Sequence, residues 1–289
     1  MNAGTYSHER ALYPGSPLSL TQLFTPTVLQ EPVVAAYALL NELWRVPEDV
    51  SEPSVGAAKL NWWQQQLANT LDQAAHPAIK GVLNVQAEVQ LPADDANAFI
   101  ATLTDCLELG VYSDVEALWQ RCLQMGRHAL QIQLAILGAS TERAAVLNQK
   151  SDWAVPLALH YFLRLVHQFG QQDHCLPWPV PMNLQARHQV NPQNYAEHPE
   201  HLKCALQDLV KTVRQSLPTP AQLAAKAELP QLLPCLLLFA LENRLLKRYQ
   251  KQPELLLEQQ QQRWRPMDTM SLWWNSQRLR KLSTALIVR

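Results

Sequence analysis

The chain has 289 residues, with 24 Lys and Arg against 25 Asp and Glu, and charged residues make up 17% of it. A formal net charge of -1 gives no bulk electrostatic reason to bind nucleic acid, and 47% hydrophobic residues exclude a disordered chain. Only 8 scattered glycines occur, so no Gly-rich phosphate loop can be built. The five cysteines, Cys106, Cys122, Cys175, Cys204 and Cys235, show no Cys-x-x-Cys spacing and read as reduced thiols, not zinc ligands. Met1 to Pro17 has no apolar run and one strong base, Arg10, so it reads as irregular chain, neither a signal nor a transit peptide. No apolar stretch is long enough to span a membrane.

Helical periodicity dominates from there on. Val33 to Trp44 sets Val34, Tyr37, Ala38, Leu40 and Leu43 roughly on one stripe, with Pro32 near the start and Pro47 as the stop. A second helix is expected from about Ser51–Ser54 to Ala75, and a third from His76-Pro77 to about Gln86. Pro92-Ala93-Asp94 opens a fourth, through Phe99, Leu103 and Leu107. Ser113-Asp114 caps a long helix to about Leu137. Ser140-Thr141 caps another, with a break near Ser151-Asp152, that continues to about Phe169. Residues 170–199 form a proline-rich loop excursion with one short helix at Leu184 to His188. Helices resume over Pro199–Leu217, Pro230–Gln250 and Asp268–Leu286. No useful β-alternation and no repeat of 20 to 50 residues is present. These features predict one all-α domain over residues 1–289.

Several segments, in order, resemble the squalene/phytoene synthase family. They are Ala36-Tyr37-Ala38-Leu39-Leu40-Asn41-Glu42-Leu43, then Lys59-Leu60-Asn61-Trp62-Trp63-Gln64-Gln65-Gln66-Leu67, then His76-Pro77. Leu91-Pro92 with Phe99, Asp105-Cys106-Leu107 and Tyr112-Ser113 follow, and finally Leu163-Arg164 with Cys175-Leu176-Pro177. The resemblance covers nearly the whole chain and implies the isoprenoid synthase fold, a helical bundle around a deep apolar cavity. It also implies two facing Asp-x-x-x-Asp motifs. Their i, i+4 spacing puts both carboxylates on one helix face, where they hold magnesium against a diphosphate.

The chain departs from that pattern. Trp44 and Glu48 fall at the first motif's positions, and Leu165 and Phe169 at the second's. Cys175 stands where the family has tyrosine, while Arg164 is retained. Residues 155–172 contain no Asp or Glu, so no shift of register restores a pair. Glu42-Leu43, Glu48 to Glu52 and Trp62-Trp63 also resemble one branch of the family. It includes bacterial proteins of this size and the mitochondrial complex I assembly factor with the synthase fold.

The resemblance therefore implies a non-catalytic member with no metal and no cofactor. It would bind a lipid or isoprenoid, or assist a protein partner in assembling a membrane-associated complex. Its expected place is the cytoplasm or the periphery of a membrane. The alternative is an active prenyl-diphosphate transferase using magnesium at a rearranged site of Glu48, Asp49 and Arg164. A helical scaffold with a filled core is a third reading.

Each candidate residue has a bland reading beside the functional one. Glu48, Asp49 and Glu52 are a residual metal site, or acids at a helix N-terminus. Tyr37, Glu42, Trp44, Trp62 and Trp63 wall a ligand cavity, or fill a core. His160, Arg164 and His167, with His174, make a cationic strip, or the histidines are hydrogen-bonded in the interior. Arg263, Arg265, Arg278, Arg280, Lys281 and Arg289, interleaved with Trp264, Trp273 and Trp274, contact anionic headgroups, or form a solvated helix face.

Overall fold

The computed structural model describes residues 2–68, 76–85, 92–148, 151–168, 174–227, 230–256 and 264–287. Fourteen α-helices run through the described residues: α1 (Ala3–Ala11), α2 (Pro17–Thr21), α3 (Thr27–Glu48), α4 (Pro53–Ala68), α5 (Pro77–Val85), α6 (Ala93–Glu108), α7 (Val115–Ile136), α8 (Thr141–Asn148), α9 (Val155–His167), α10 (Met182–His188), α11 (Pro199–Ser216), α12 (Pro220–Ala225), α13 (Leu233–Lys251) and α14 (Pro266–Ile287). No strand is present among the described residues. The nearest thing is a single bridge between Val111 and Trp178.

Local chemistry sets many of the helix starts. Asp114 Oδ1 accepts from Ala117 N at 2.8 Å and caps α7. Proline stands at the first positions of α2, α9, α11, α12 and α13, where its missing N–H leaves nothing unpaired. α3, α7, α9 and α13 form the centre. Every residue of α9 from Val155 to Val166 is buried except Arg164, as expected of a helix with neighbours on all sides. α7 and the start of α9 pack backbone to backbone at Gly126. A Cβ there would lie 2.4 Å from Ala154 O and 2.6 Å from Ala158 N. α13 packs against α9, α11 and α14, and α3 against α1, α5 and α7. α3 and α9 make little backbone contact, and long side chains bridge the space between them.

Three expectations are corrected. Met1 to Pro17 is not irregular, because α1 occupies most of it. Asn2 Oδ1 accepts from Gly4 N, and Ser7 tucks against Gly81 of α5. α1 docks through small and polar residues, which leave no apolar run to read. Pro47 does not stop α3, which ends one residue later and begins at Thr27. Pro47 falls in the last turn, where little helix remains to disrupt. α12 was not expected. A capping box of Thr219 and Gln222 holds it. α4 is described as far as Ala68, and residues 69–75, expected to continue it, lie outside the described ones.

The proline-rich excursion straps across one end of the bundle. Cys175 N donates to Pro47 O at 2.9 Å, supplying a partner that the end of α3 lacks. Trp178 N donates to Gly110 O at 2.7 Å, and Met182 N to Tyr112 O at 2.9 Å. Gly110 has φ +61, the left-handed conformation that favours glycine. Cys106, Cys122, Cys175 and Cys235 are buried, and none of the five cysteines is bonded to another. Burial pushes the thiol of Cys106 up to about 11 and that of Cys235 up to about 12, so both stay protonated.

Candidate functional site

Tyr37, Asn41, Trp44 and Glu48 share one stripe of α3, facing α9 across the interior. Trp44 is buried and lies 4.7 Å from the Tyr161 ring, with the Arg164 guanidinium 5.8 Å from its own ring. Tyr161 in turn meets Phe99 of α6. Arg164 forks onto Glu48, with Nε donating to Oε1 at 3.1 Å and Nη2 to Oε2 at 2.8 Å. Its Nη1 donates to Asn41 Oδ1, and Asn41 Nδ2 donates to Arg10 O at 3.1 Å. Burial pulls the Arg164 pKa down, but the Glu48 charge and hydrogen bonds more than offset this, so the net shift is upward. Leu165 is buried in the core. Phe169 lies outside the described residues.

These residues do not fit the magnesium that the fold family implies. A hard cation needs several oxygen ligands. Trp44 and Leu165 offer none, and both oxygens of Glu48 already accept from Arg164. Among the described residues, no three His, Cys, Asp or Glu side chains come together to hold a metal. The acids once grouped with Glu48 point elsewhere. Asp49 pairs with Arg45 at 3.0 Å, and Glu52 is exposed just before α4.

His160 and His167 both face α13, two turns apart. His160 Nδ1 lies 2.7 Å from Glu242 Oε1, and His167 Nε2 lies 2.8 Å from the Tyr249 hydroxyl. Arg164 reaches toward α3 instead, so the three do not form one cationic strip. His174 accepts from Leu176 N within its own loop. Burial raises the Glu242 carboxyl, and the attraction of His160 only partly opposes it. Tyr37 lies beside His160, with ring centroids 6.0 Å apart. Burial holds the Tyr37 hydroxyl protonated. Its oxygen, Trp44 Nε1 and Glu242 Oε2 are buried without a hydrogen-bond partner among the described residues. Cys235 donates to Gln133 Oε1 at 3.3 Å nearby.

Glu42, Asp49 and Trp62 belong to a different place, the outer face of α3 and α4. There a cleft of about 650 Å³ is lined by Glu42, Arg45, Asp49, Ser54, Lys59, Trp62, Trp63 and His76, among others. Trp63 meets His76 at 4.5 Å and Trp62 at 5.2 Å between ring centroids, giving the cleft an aromatic wall. Burial lowers the His76 pKa, opposed by the weaker attraction of Glu42 and reinforced by the Arg10 charge. Glu42 pairs with Arg10 at 2.9 Å.

Of the C-terminal candidates, Trp264 donates to Gly15 O at 2.8 Å, while Arg265, Trp273 and Trp274 are exposed. Arg278, Arg280 and Lys281 lie on α14 with side chains outside the described ones, and Arg263 and Arg289 are likewise outside.

Asn41, Tyr161, Glu242 and Tyr249 are the functional neighbours that the sequence reading missed. One signal was available: Glu242 and Tyr249 are seven residues apart, as are His160 and His167, which is the register of two helices side by side.

The family model for squalene/phytoene synthase matches residues 14–268. A search of curated proteins finds no match.

Proposed function

The chain belongs to the squalene/phytoene synthase family, and from that premise we propose that it binds a lipid or isoprenoid without transferring a prenyl group. The observation that carries this reading is the Arg164–Glu48 fork beneath Trp44. A cationic side chain of the protein takes up the one carboxylate left at the four motif positions described or aligned. Its charge is spent inside the fold and is not offered to a diphosphate. Trp44 and Tyr161 fill the space beside it, which supports a bundle kept for binding and not for ionising a substrate.

We place the ligand in the cleft between α3 and α4. Its volume lies in the range of small-molecule sites, and its aromatic wall suits an apolar chain. Lys59, which has no ion-pair partner among the described residues, and Ser54 would meet a polar head. Service in assembling a membrane-associated complex is part of the same proposal, drawn from the family branch. The test is solvent extraction of the purified protein followed by mass spectrometry. A lipid should accompany the wild type and be lost from Trp62→Ala, whose half-exposed ring can be removed without opening the core. Wild-type protein that carries no lipid and takes up none from added geranylgeraniol would overturn the reading.

A further inference from the structure

α14 has an outward face that no described residue covers. Asp268, Leu272 and Ser276, at i, i+4 and i+8, are buried against the bundle. On the other side Met267, Met270 and Trp274, at i, i+3 and i+7, are 58%, 64% and 66% exposed, and adjacent Trp273 is 52% exposed. Leu23, also exposed, sits in the Gln22–Phe24 turn that packs against α14. Single exposed apolar residues are ordinary, but a stripe of four on one helix marks an interaction face.

The segment that carries this stripe is mostly basic in sequence. Residues 264–289 contain five basic residues, Arg265, Arg278, Arg280, Lys281 and Arg289, and one acid, Asp268. Asp268 is buried and neutralised from α13, with Arg244 Nε at 2.7 Å and Arg248 Nη2 at 3.0 Å. In sequence, Arg278 and Lys281 follow Trp274 by four and seven residues, the spacing that continues a helical stripe. Tryptophan suits a boundary that is apolar on one side and wet on the other.

We propose that α14 seats the protein on an anionic lipid surface, its methionines and tryptophans entering the headgroup boundary and its basic residues meeting lipid phosphates. A second copy of the chain would bring like charge to like charge, whereas an anionic bilayer supplies the opposite charge. No described helix is long and apolar enough to cross a membrane, so the contact is peripheral. This inference rests on α14 alone and not on the cleft between α3 and α4.

The test is co-sedimentation with phosphatidylcholine vesicles and with vesicles containing about a third phosphatidylglycerol, at low and high salt. The wild type should pellet with the anionic vesicles and be released by high salt. Trp273→Ser/Trp274→Ser should bind at least about tenfold more weakly while melting at the same temperature. Arg278→Gln/Lys281→Gln should weaken binding by roughly thirtyfold. Trp62→Ala should bind vesicles like the wild type, which separates this contact from the ligand cleft. Wild type left in the supernatant, or Trp273→Ser/Trp274→Ser binding as well as wild type, would overturn the proposal. So would a wild-type dimer that the same substitutions convert to monomer, which would make the face a self-association surface.

Discussion

Replacing Arg164 by methionine tests how the buried Glu48 carboxylate is held. The Arg164 side chain is 15% exposed and that of Glu48 9%, so neither charge keeps much of its water. At the observed contact of 2.8 Å and an intermediate dielectric, the attraction is on the order of 4 kcal/mol or more. Desolvation costs several kcal/mol per ion, so the pair as a whole is close to break-even. Removing one partner is another matter, because Arg164→Met leaves the Glu48 carboxylate buried with no cation and strips Asn41 of its donor. The expected loss is about 3–5 kcal/mol, or about 5–8 °C in Tm for a chain of this size. The double variant Glu48→Leu/Arg164→Met removes both charges and should recover most of that loss. Equilibrium unfolding in urea reads both quantities. A loss below about 1 kcal/mol for Arg164→Met, or a double variant no better than the single, would refute the reasoning.

Three further outcomes follow from the geometry. Gly126→Ala gains about 1 kcal/mol of helix propensity, but its Cβ would meet two backbone atoms of the α9 region. A net destabilisation of about 1–3 kcal/mol is therefore expected in urea unfolding. Tyr37→Phe removes a buried hydroxyl that has no partner among the described residues, so Tm should stay level or rise. A clear drop would mean that the oxygen is hydrogen-bonded in solution. His76 has a pKa lowered mainly by burial, so its contribution to stability is present above about 6.5 and is lost as pH falls toward the lowered value. His76→Gln should accordingly lose less Tm than wild type between neutral pH and the acid side of that window. Parallel melting curves would count against it.

The helices could be read from the sequence wherever a cap and an apolar stripe coincide, as at Asp114 for α7 and Pro77 for α5. α1 could not, because its docking depends on Ser7 against Gly81 and on the Arg10–Glu42 pair, which belong to other elements. The division of the site was legible in the period of α3. Tyr37, Asn41, Trp44 and Glu48 share one stripe, and Glu42, Arg45 and Asp49 another about 100° round the helix, so the inner cluster and the outer cleft are adjacent faces of one helix. Grouping Glu48 with Asp49 and Glu52 by sequence proximity concealed that. The Arg164–Glu48 pairing joins residues 116 apart. Only the meeting of α3 and α9 in space discloses that an arginine stands against the remaining acid.

The absence of prenyl-transfer chemistry is the central claim, and pyrophosphate release tests it most directly. Purified protein with magnesium and farnesyl or geranylgeranyl diphosphate should release no more pyrophosphate than a protein-free control. Sustained release by the wild type that disappears in Glu48→Gln would contradict the account, since it would require Glu48 to leave Arg164 and serve the substrate.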